Sequence, residues 1–305
     1  SRLLETQMRP LIPLVLTRAV VAAASAPASC RLLLVRHGET NYNAAGRIQG
    51  RLESELTQTG LEQAEKLGAW VDASSEALAV DRVFVSPKRR TRQTLAGIES
   101  AQRAPLPAAE VRPGLREIEL TVWEGSLRSD LAESDPRWEQ WKARPDGFSF
   151  EEDGHAPLTD LKRRGCLGLC ASAGASGVSV GDSCRRAAEE WAALVAATPG
   201  GSTSLVVAHG AFNRVLVQTA LGLPVDDFGF KDGHYAFENC ALVELRWEAG
   251  QAHASAWRKR YPAPSEWRSR EAEEVRRARA VEAGEPPDVE EAEHGGAGRR
   301  RKEEL

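Results

Sequence analysis

The chain has 305 residues, 42% of them hydrophobic, and a formal net charge of −4. That length accommodates one α/β domain with a cap, and the near-neutral balance, with a pI of about 6.0, excludes a globally basic nucleic-acid-binding surface. The cysteines Cys30, Cys166, Cys170, Cys184 and Cys240 match neither a zinc spacing nor a disulfide framework, so free thiols are expected.

In chain order, the first thirty residues stand apart. Met8 is the only methionine, and from Met8 to Cys30 there is no acidic residue, only two arginines and a run rich in Leu, Val, Ala and Ser. This composition fits a transit peptide, a signal peptide ending near Ala24-Ser25-Ala26 or Ala26-Pro27-Ala28, or a disordered extension. Pro13 and Arg18 interrupt the apolar run, so no membrane span is expected.

The run Leu32-Leu33-Leu34-Val35 ends abruptly in Arg36-His37-Gly38 and predicts a buried strand of a parallel sheet. Ligands of open α/β sheets bind beyond the carboxyl ends of such strands, which makes Arg36 and His37 candidate site residues. Gly38 permits a tight turn and a close approach of ligand to backbone. Thr57 opens a helix with Leu61, Ala64, Leu67, Gly68 and Val71 at helical spacing. A second strand, 82–85, stops at Ser86-Pro87 and leads into a helix from Arg89 to about Glu99. The cluster Lys88-Arg89-Arg90-Thr91-Arg92 at its start would ordinarily be a solvated face. Beyond a strand end, at least one of these arginines is expected to turn inward. Leu115–Leu120 then holds Glu117 and Glu119. Glu117 against an apolar wall suits a general acid, the alternative being an exposed strand-edge carboxylate.

Residues 126–163, with Trp138, Trp141 and Pro145 among many charges, read as a helical cap. A stretch at about 164–183, rich in Gly, Ala, Ser and Cys, looks inserted, either as a lid or as a translated intron. A helix over 184–197 leads to the strand Ser204–Ala208, which runs into His209-Gly210, and 211–222 forms the next helix. A strand at 240–245 and a hairpin partner at 252–257 follow, then an Arg- and Glu-rich tail with an exposed helix over 266–283. Two strand-terminal His-Gly pairs meet only at the carboxyl edge of one sheet. Two histidines with inward arginines make an anion pocket, for which phosphate is the obvious occupant. A neutral imidazole there can attack phosphorus.

Together the segments resemble the histidine phosphatase superfamily, with its phosphoglycerate mutase-like fold, over about Arg31 to Trp247. The motif Arg36-His37-Gly38-Glu39-Thr40 followed by a second His-Gly carries the likeness. The resemblance implies a three-layer α/β/α sandwich with a mostly parallel sheet and a helical cap. It makes His37 the phosphate-accepting nucleophile, Arg36 and Arg90 phosphate clamps, and Asn43 a phosphate contact. Glu117, in Leu-Arg-Glu-Ile before Trp123-Glu124-Gly125, becomes the proton donor, and His209 holds the transferred phosphoryl group. Within the family the chain is similar to plant-type phosphatases of 2-carboxy-D-arabinitol 1-phosphate and related sugar phosphates. That likeness rests on Arg47-Ile48-Gln49-Gly50, Trp138-Glu139-Gln140-Trp141-Lys142, Asp153–Leu158 and Ala208–Asn213. The chain departs from the family in having Leu120-Thr121-Val122 where a Gly is common, and Gly177-Val178-Ser179 where many members carry Gly-Glu-Ser.

The implied activity is a phosphomonoesterase that needs neither metal nor other cofactor. Its partner is a small phosphorylated metabolite, not nucleic acid or membrane, and Arg47, Gln49, Trp123 and His155 are candidate contacts to the organic moiety. A mutase and a non-catalytic phospho-ligand or protein-binding member are the alternatives. The expected organisation is a targeting peptide or extension at 1–30, a catalytic domain at 31–262 and a charged tail at 263–305. The resemblance points to the chloroplast, and otherwise the cytoplasm is expected.

Overall fold

The computed structural model describes residues 28–75, 78–143, 145, 148–150, 185–223, 237–262 and 268–269. The segment before residue 28, expected to be a targeting peptide or an extension, the expected insertion, His155 and most of the tail lie outside them.

Strand β1 (Ser29–Arg36) shows why its sequence is a continuous apolar run. Leu32 and Leu34 enter one core, Leu33 and Val35 the other, and all four are fully buried. A strand covered on both faces has no solvent side on which to place polar residues. The other strands are β2 (Arg82–Val85), β3 (Ala109–Val111), β4 (Thr203–Ala208), β5 (Leu242–Glu248), β6 (Ala256–Tyr261) and β7 (Arg268–Ser269). Their order in the sheet is β3-β2-β4-β1-β5-β6-β7. The pairs β3–β2, β2–β4 and β4–β1 are parallel, whereas β5, β6 and β7 add an antiparallel flank. The sheet is therefore mixed, with its parallel part where the two His-Gly turns emerge.

Helices cover both faces. On one side lie α2 (Gln58–Ala73), N-capped by Thr57, and α3 (Arg89–Ser100). They approach closely because glycines meet backbone and small side chains: a Cβ on Gly68 would sit 2.5 Å from the Ile98 carbonyl oxygen. On the other side lie α6 (Arg185–Ala197) and α7 (Gly210–Ala220), whose Trp191, Leu194, Phe212 and Leu216 join the core of Leu32 and Leu34. This is the three-layer arrangement that the resemblance implied. Above the carboxyl edge, α4 (Arg128–Ser134) and α5 (Pro136–Ala143) form the described part of the cap. Trp123 is its hub, with ring centroids 4.7–5.4 Å from Phe150, Phe148 and Trp138. Its indole nitrogen donates to Asp135 Oδ2 at 2.8 Å. Arg137 pairs with that carboxylate at 2.7 Å and holds it well below the usual carboxylate range.

Several boundaries differ from the sequence expectation. The short helix α1 (Asn41–Ala44) and the exposed edge strand β3 carry too few apolar residues for periodicity to reveal. The hairpin partner begins at Ala256 rather than 252, after a turn through Gly250 in the left-handed region. The helix expected over 266–283 gives way, at Arg268–Ser269, to a strand paired with β6, so the sheet reaches past residue 262. Among the described residues no helix is long and apolar enough to cross a membrane.

Gly38 also serves the packing of the fold. A Cβ there would lie 2.6 Å from the carbonyl oxygen of Gly60, and one on Gly60 would lie 2.0 Å from that of Glu39. The close approach that these glycines permit within the fold is between the β1 turn and α2. Gly60→Ala should cost about 1–3 kcal/mol, as overpacking does. A urea midpoint equal to that of the wild type would contradict this packing.

Candidate active site

The parallel register of β1 and β4 sets Arg36 opposite Ala208, so the turns that follow, His37-Gly38 and His209-Gly210, emerge side by side. The two imidazole centroids are 5.5 Å apart. His37 is buried, and its Nδ1 lies 2.8 Å from the Gly38 carbonyl oxygen. A carbonyl only accepts, so Nδ1 carries the proton and Nε2 keeps its lone pair. Burial, and then the charges of Arg36 and Arg90, hold the His37 pKa well below its ordinary value of 6.5. The ring is neutral and held in a fixed tautomer.

His37 opens onto a cavity of about 420 Å³ at the carboxyl edge, also lined by Arg36, Asn43, Gln49, Arg90 and Glu117. Arg36 donates from Nη1 to the Phe237 carbonyl at 2.6 Å, while its buried Nε has no partner in the structure. Gly210 keeps that Nε unobstructed, because a Cβ at position 210 would stand 3.1 Å from it. Burial lowers the Arg36 pKa to about 10, the Glu117 charge opposing this and the Arg214 and Arg128 charges reinforcing it. A desolvated guanidinium with an unmet donor is strongly favourable to an anion.

Arg90 is fully buried at the start of α3 and is the inward arginine of the basic cluster. It donates to the Leu52 and Gly50 carbonyls at 2.9 and 3.0 Å and from Nε to His209 Nδ1 at 3.3 Å. Two of its five N–H groups remain for the cavity. Gly50 adopts φ +49, and its missing side chain leaves room for Glu124, which accepts from Arg51 N at 2.9 Å and Leu120 N at 3.1 Å. Glu124 thus ties down the loop whose carbonyls orient Arg90.

Glu117 is fastened at the N-terminus of α7. Its Oε1 accepts from Phe212 N at 2.8 Å and Ile118 N at 3.0 Å, and its Oε2 from Ala211 N at 3.1 Å. The wall behind it is polar backbone, in place of the apolar wall expected from sequence. Asn43 Oδ1 accepts from Thr40 N, Thr40 Oγ1 and Asn239 Nδ2, at 3.1–3.2 Å. What Asn43 can offer an anion is therefore its Nδ2 donor.

Three expectations change. His209 is fully buried and absent from the cavity lining. Its Nδ1 accepts from Arg90, so its Nε2 carries the proton and donates to Ser86 Oγ at 2.8 Å. Both ring nitrogens are engaged by protein, by Arg90 on one side and Ser86 on the other. Arg47 is exposed and spends its Nη1 on the Gly125 carbonyl at 2.6 Å, away from the cavity. Trp123 is 1% exposed at the heart of the aromatic cluster and is not part of the cavity lining. Conversely, Arg128, Lys142 and Arg214 line the cavity and were missed. Arg214 had a legible signal, standing one helical turn beyond Gly210 on α7. Arg128 and Lys142 depend on how the cap helices lie over the sheet, which local pattern does not encode. Among the described residues, no group of His, Cys, Asp and Glu side chains is arranged to hold a metal ion.

The sequence profile of the histidine phosphatase superfamily (branch 1) matches residues 32–166 and 165–260, which include both His-Gly turns and Glu117. The chain belongs to the histidine phosphatase superfamily. It is an enzyme of the phosphatase type for which that family is named. A probable phosphoglycerate mutase GpmB of Serratia proteamaculans is 33% identical over 230 residues, 74% of this chain and 89% of that protein. A 2-carboxy-D-arabinitol-1-phosphatase of Triticum aestivum is 33% identical over 203 residues, 65% of this chain but 34% of that longer protein. Among solved structures, Bacillus stearothermophilus YhfR superposes with a TM-score of 0.56 at 22% identity, covering 74% of this chain and 95% of its own. A mycobacterial glucosyl-3-phosphoglycerate phosphatase superposes equally well, with a TM-score of 0.56 at 22% identity, over 76% and 97% of the two chains. These last two likenesses establish the fold.

The histidines also set the family member's acid response. Burial, with Arg90 and then His37, holds the His209 pKa well below 6.5, as it does for His37. Both rings are neutral in the fold and bind a proton in the unfolded chain below about pH 6.5. Stability is therefore full above that pH and falls by about 1.4 kcal/mol per pH unit for each ring as acid is added. Melting temperatures from about pH 7.5 to 5.5 should fall less steeply in His37→Asn than in wild type. Identical slopes would mean that the ring is charged in the fold.

Proposed function

We propose that this enzyme is a phosphomonoesterase acting on a small phosphorylated metabolite such as a sugar phosphate, through a phosphohistidine intermediate. The observation that carries the reading is the unprotonated Nε2 of a neutral His37 facing a cavity lined by arginines and one carboxylate. Arg36 and Arg90 supply the positive charge that neutralises the phosphoryl oxygens, with the Asn43 amide as a further donor. His37 Nε2 attacks phosphorus in line while the bond to the substrate oxygen breaks. The departing oxygen takes a proton from Glu117, whose Oε2, holding one backbone donor, has the spare capacity to carry it. Water then attacks the phosphohistidine, Glu117 receives its proton, and inorganic phosphate leaves with His37 neutral again. His209 holds Arg90 in register from behind, with Ser86 fixing its tautomer. Gln49 lies in the lining within reach of the substrate's organic part.

The likeness to GpmB-type proteins supports a second reading, a mutase that returns the phosphoryl group to a phosphoglycerate. One assay separates the two. Incubated with sugar phosphates and 3-phosphoglycerate, the wild type should release free phosphate, His37→Ala should release none, and Glu117→Gln should be slower by about 10²–10⁴-fold. Isomerised phosphoglycerate without free phosphate would establish the mutase. Undiminished release by His37→Ala would refute both.

We also propose, from the likeness to the plant-type phosphatases, that the acid-free segment from Met8 to Cys30, whose composition fits a transit peptide, directs the protein to a plastid. A reporter carrying residues 8 to 40 should enter chloroplasts, and cytosolic retention would overturn the proposal.

A further inference from the structure

Whether His37 Nε2 keeps its lone pair depends on the direction of one carbonyl, that of Gly38, which accepts the Nδ1 proton at 2.8 Å. That carbonyl belongs to the residue type with the greatest backbone freedom, and crowding against Gly60 leaves no room for a side chain there. Peptide units are planar, so the two units flanking Gly38 are fixed by whatever binds their N–H and carbonyl groups. The Gly38 carbonyl turns together with the Glu39 N–H, and Gln63 Oε1 on α2 accepts from that N–H at 2.9 Å. The preceding unit carries the Gly38 N–H, which donates to Thr94 Oγ1 on α3 at 2.9 Å. Its other end, the His37 carbonyl, accepts from Asn239 Nδ2 at 3.0 Å. The Thr94 hydroxyl gives its own proton to the Arg90 carbonyl, one turn back in the same helix, at 2.7 Å. With the hydroxyl held in this way, its lone pair is left for Gly38. Thr94 is fully buried, and neither it nor Gln63 belongs to the cavity lining.

We infer that Gln63 and Thr94 are positioning residues for the proposed reaction: by pinning the two peptide planes of Gly38, they aim the carbonyl that keeps the His37 proton on Nδ1. The inference rests on the phosphomonoesterase reading for its effect on rate, and on geometry alone for its effect on the ring. Once the carbonyl swings away, the proton is free to move to Nε2, and the lone pair that attacks phosphorus is lost. Binding of the anion stands apart from this device. The Arg90 side chain is held by the Leu52 and Gly50 carbonyls and that of Arg36 by the Phe237 carbonyl, none of which touches Gln63 or Thr94. Loss of either positioning residue therefore slows the attack and leaves the anion clamps in place.

Gln63→Leu and Thr94→Val each remove one bond at nearly constant volume, whereas Gln63→Glu and Thr94→Ser keep the acceptor. In phosphate release by the full chain, each removing variant should lower kcat by about tenfold or more, the scale on which misplacing a reacting group acts, with KM within about twofold. The acceptor-keeping variants should stay close to wild type. Thr198→Val controls for stability. Its hydroxyl is also buried, near the start of β4, donating to the Leu194 carbonyl at 2.7 Å and meeting Ser204 Oγ at 2.6 Å. Its loss should lower the melting temperature without lowering kcat. Nitrogen NMR of the His37 ring, assigned by the signals missing from His37→Ala, reads the tautomer without turnover. The proton should reside on Nδ1 in the wild type and the acceptor-keeping variants, and partly on Nε2 in Gln63→Leu and Thr94→Val. An unchanged tautomer in both removing variants, or a loss of kcat as large in Thr198→Val, would overturn the inference and leave the phosphomonoesterase reading intact. The expected change of tautomer in a chain that releases no phosphate would do the reverse.

Discussion

The active site depends on one parallel register. With Arg36 paired to Ala208, strands β1 and β4 end together, and each delivers a His-Gly turn to the same edge. A slip of one residue would exchange the faces of every side chain on β1, sending Leu32 and Leu34 into the wrong core and turning Arg36 away. The register is in turn enforced by burial, since all six positions of β4 and the four aliphatics of β1 are inaccessible to solvent. Core packing and the geometry of the candidate site are thus the same constraint, read from opposite ends of the strands.

Around that edge the protein organises charge by desolvation. Arg36 and Arg90 are withdrawn from water and tethered by backbone carbonyls, so each keeps only part of its donor set for a ligand. The same environment keeps His37 uncharged, as the proposed attack on phosphorus requires. Glu117, bound to three backbone N–H groups, is positioned by the start of the helix that follows the second His-Gly turn. Each group is therefore oriented by an element whose place the sheet has already determined.

This hierarchy accounts for what can be read in the sequence. His37, Arg36 and Glu117 sit in short motifs tied directly to strand ends or to the next helix, and the buried apolar runs that precede the histidines are unmistakable. Arg90 could be singled out from its basic neighbours only through the family resemblance, because its burial comes from the carbonyls of a loop some forty residues earlier. The partners of His209 are illegible for a related reason: Ser86 and Arg90 reach it across 123 and 119 residues of chain. Trp123 and Arg47 were misplaced because an aromatic or a basic residue near a motif looks the same whether it faces solute, core or a carbonyl. Arg128 and Lys142 belong to a cap whose placement is tertiary.

Cys240 stands immediately behind His37. It adopts a φ of 57°, and its N–H is shared between the Arg36 and His37 carbonyls at 3.1 and 3.3 Å. Its side chain is 1% exposed, and burial pushes the thiol up to about 12. At physiological pH such a sulfur is protonated and inaccessible, so alkylating reagents and peroxide act on it only when the turn opens. The rate at which Cys240 is labelled is thus a direct gauge of how often the backbone that carries His37 breathes, obtained from the native chain without an introduced probe.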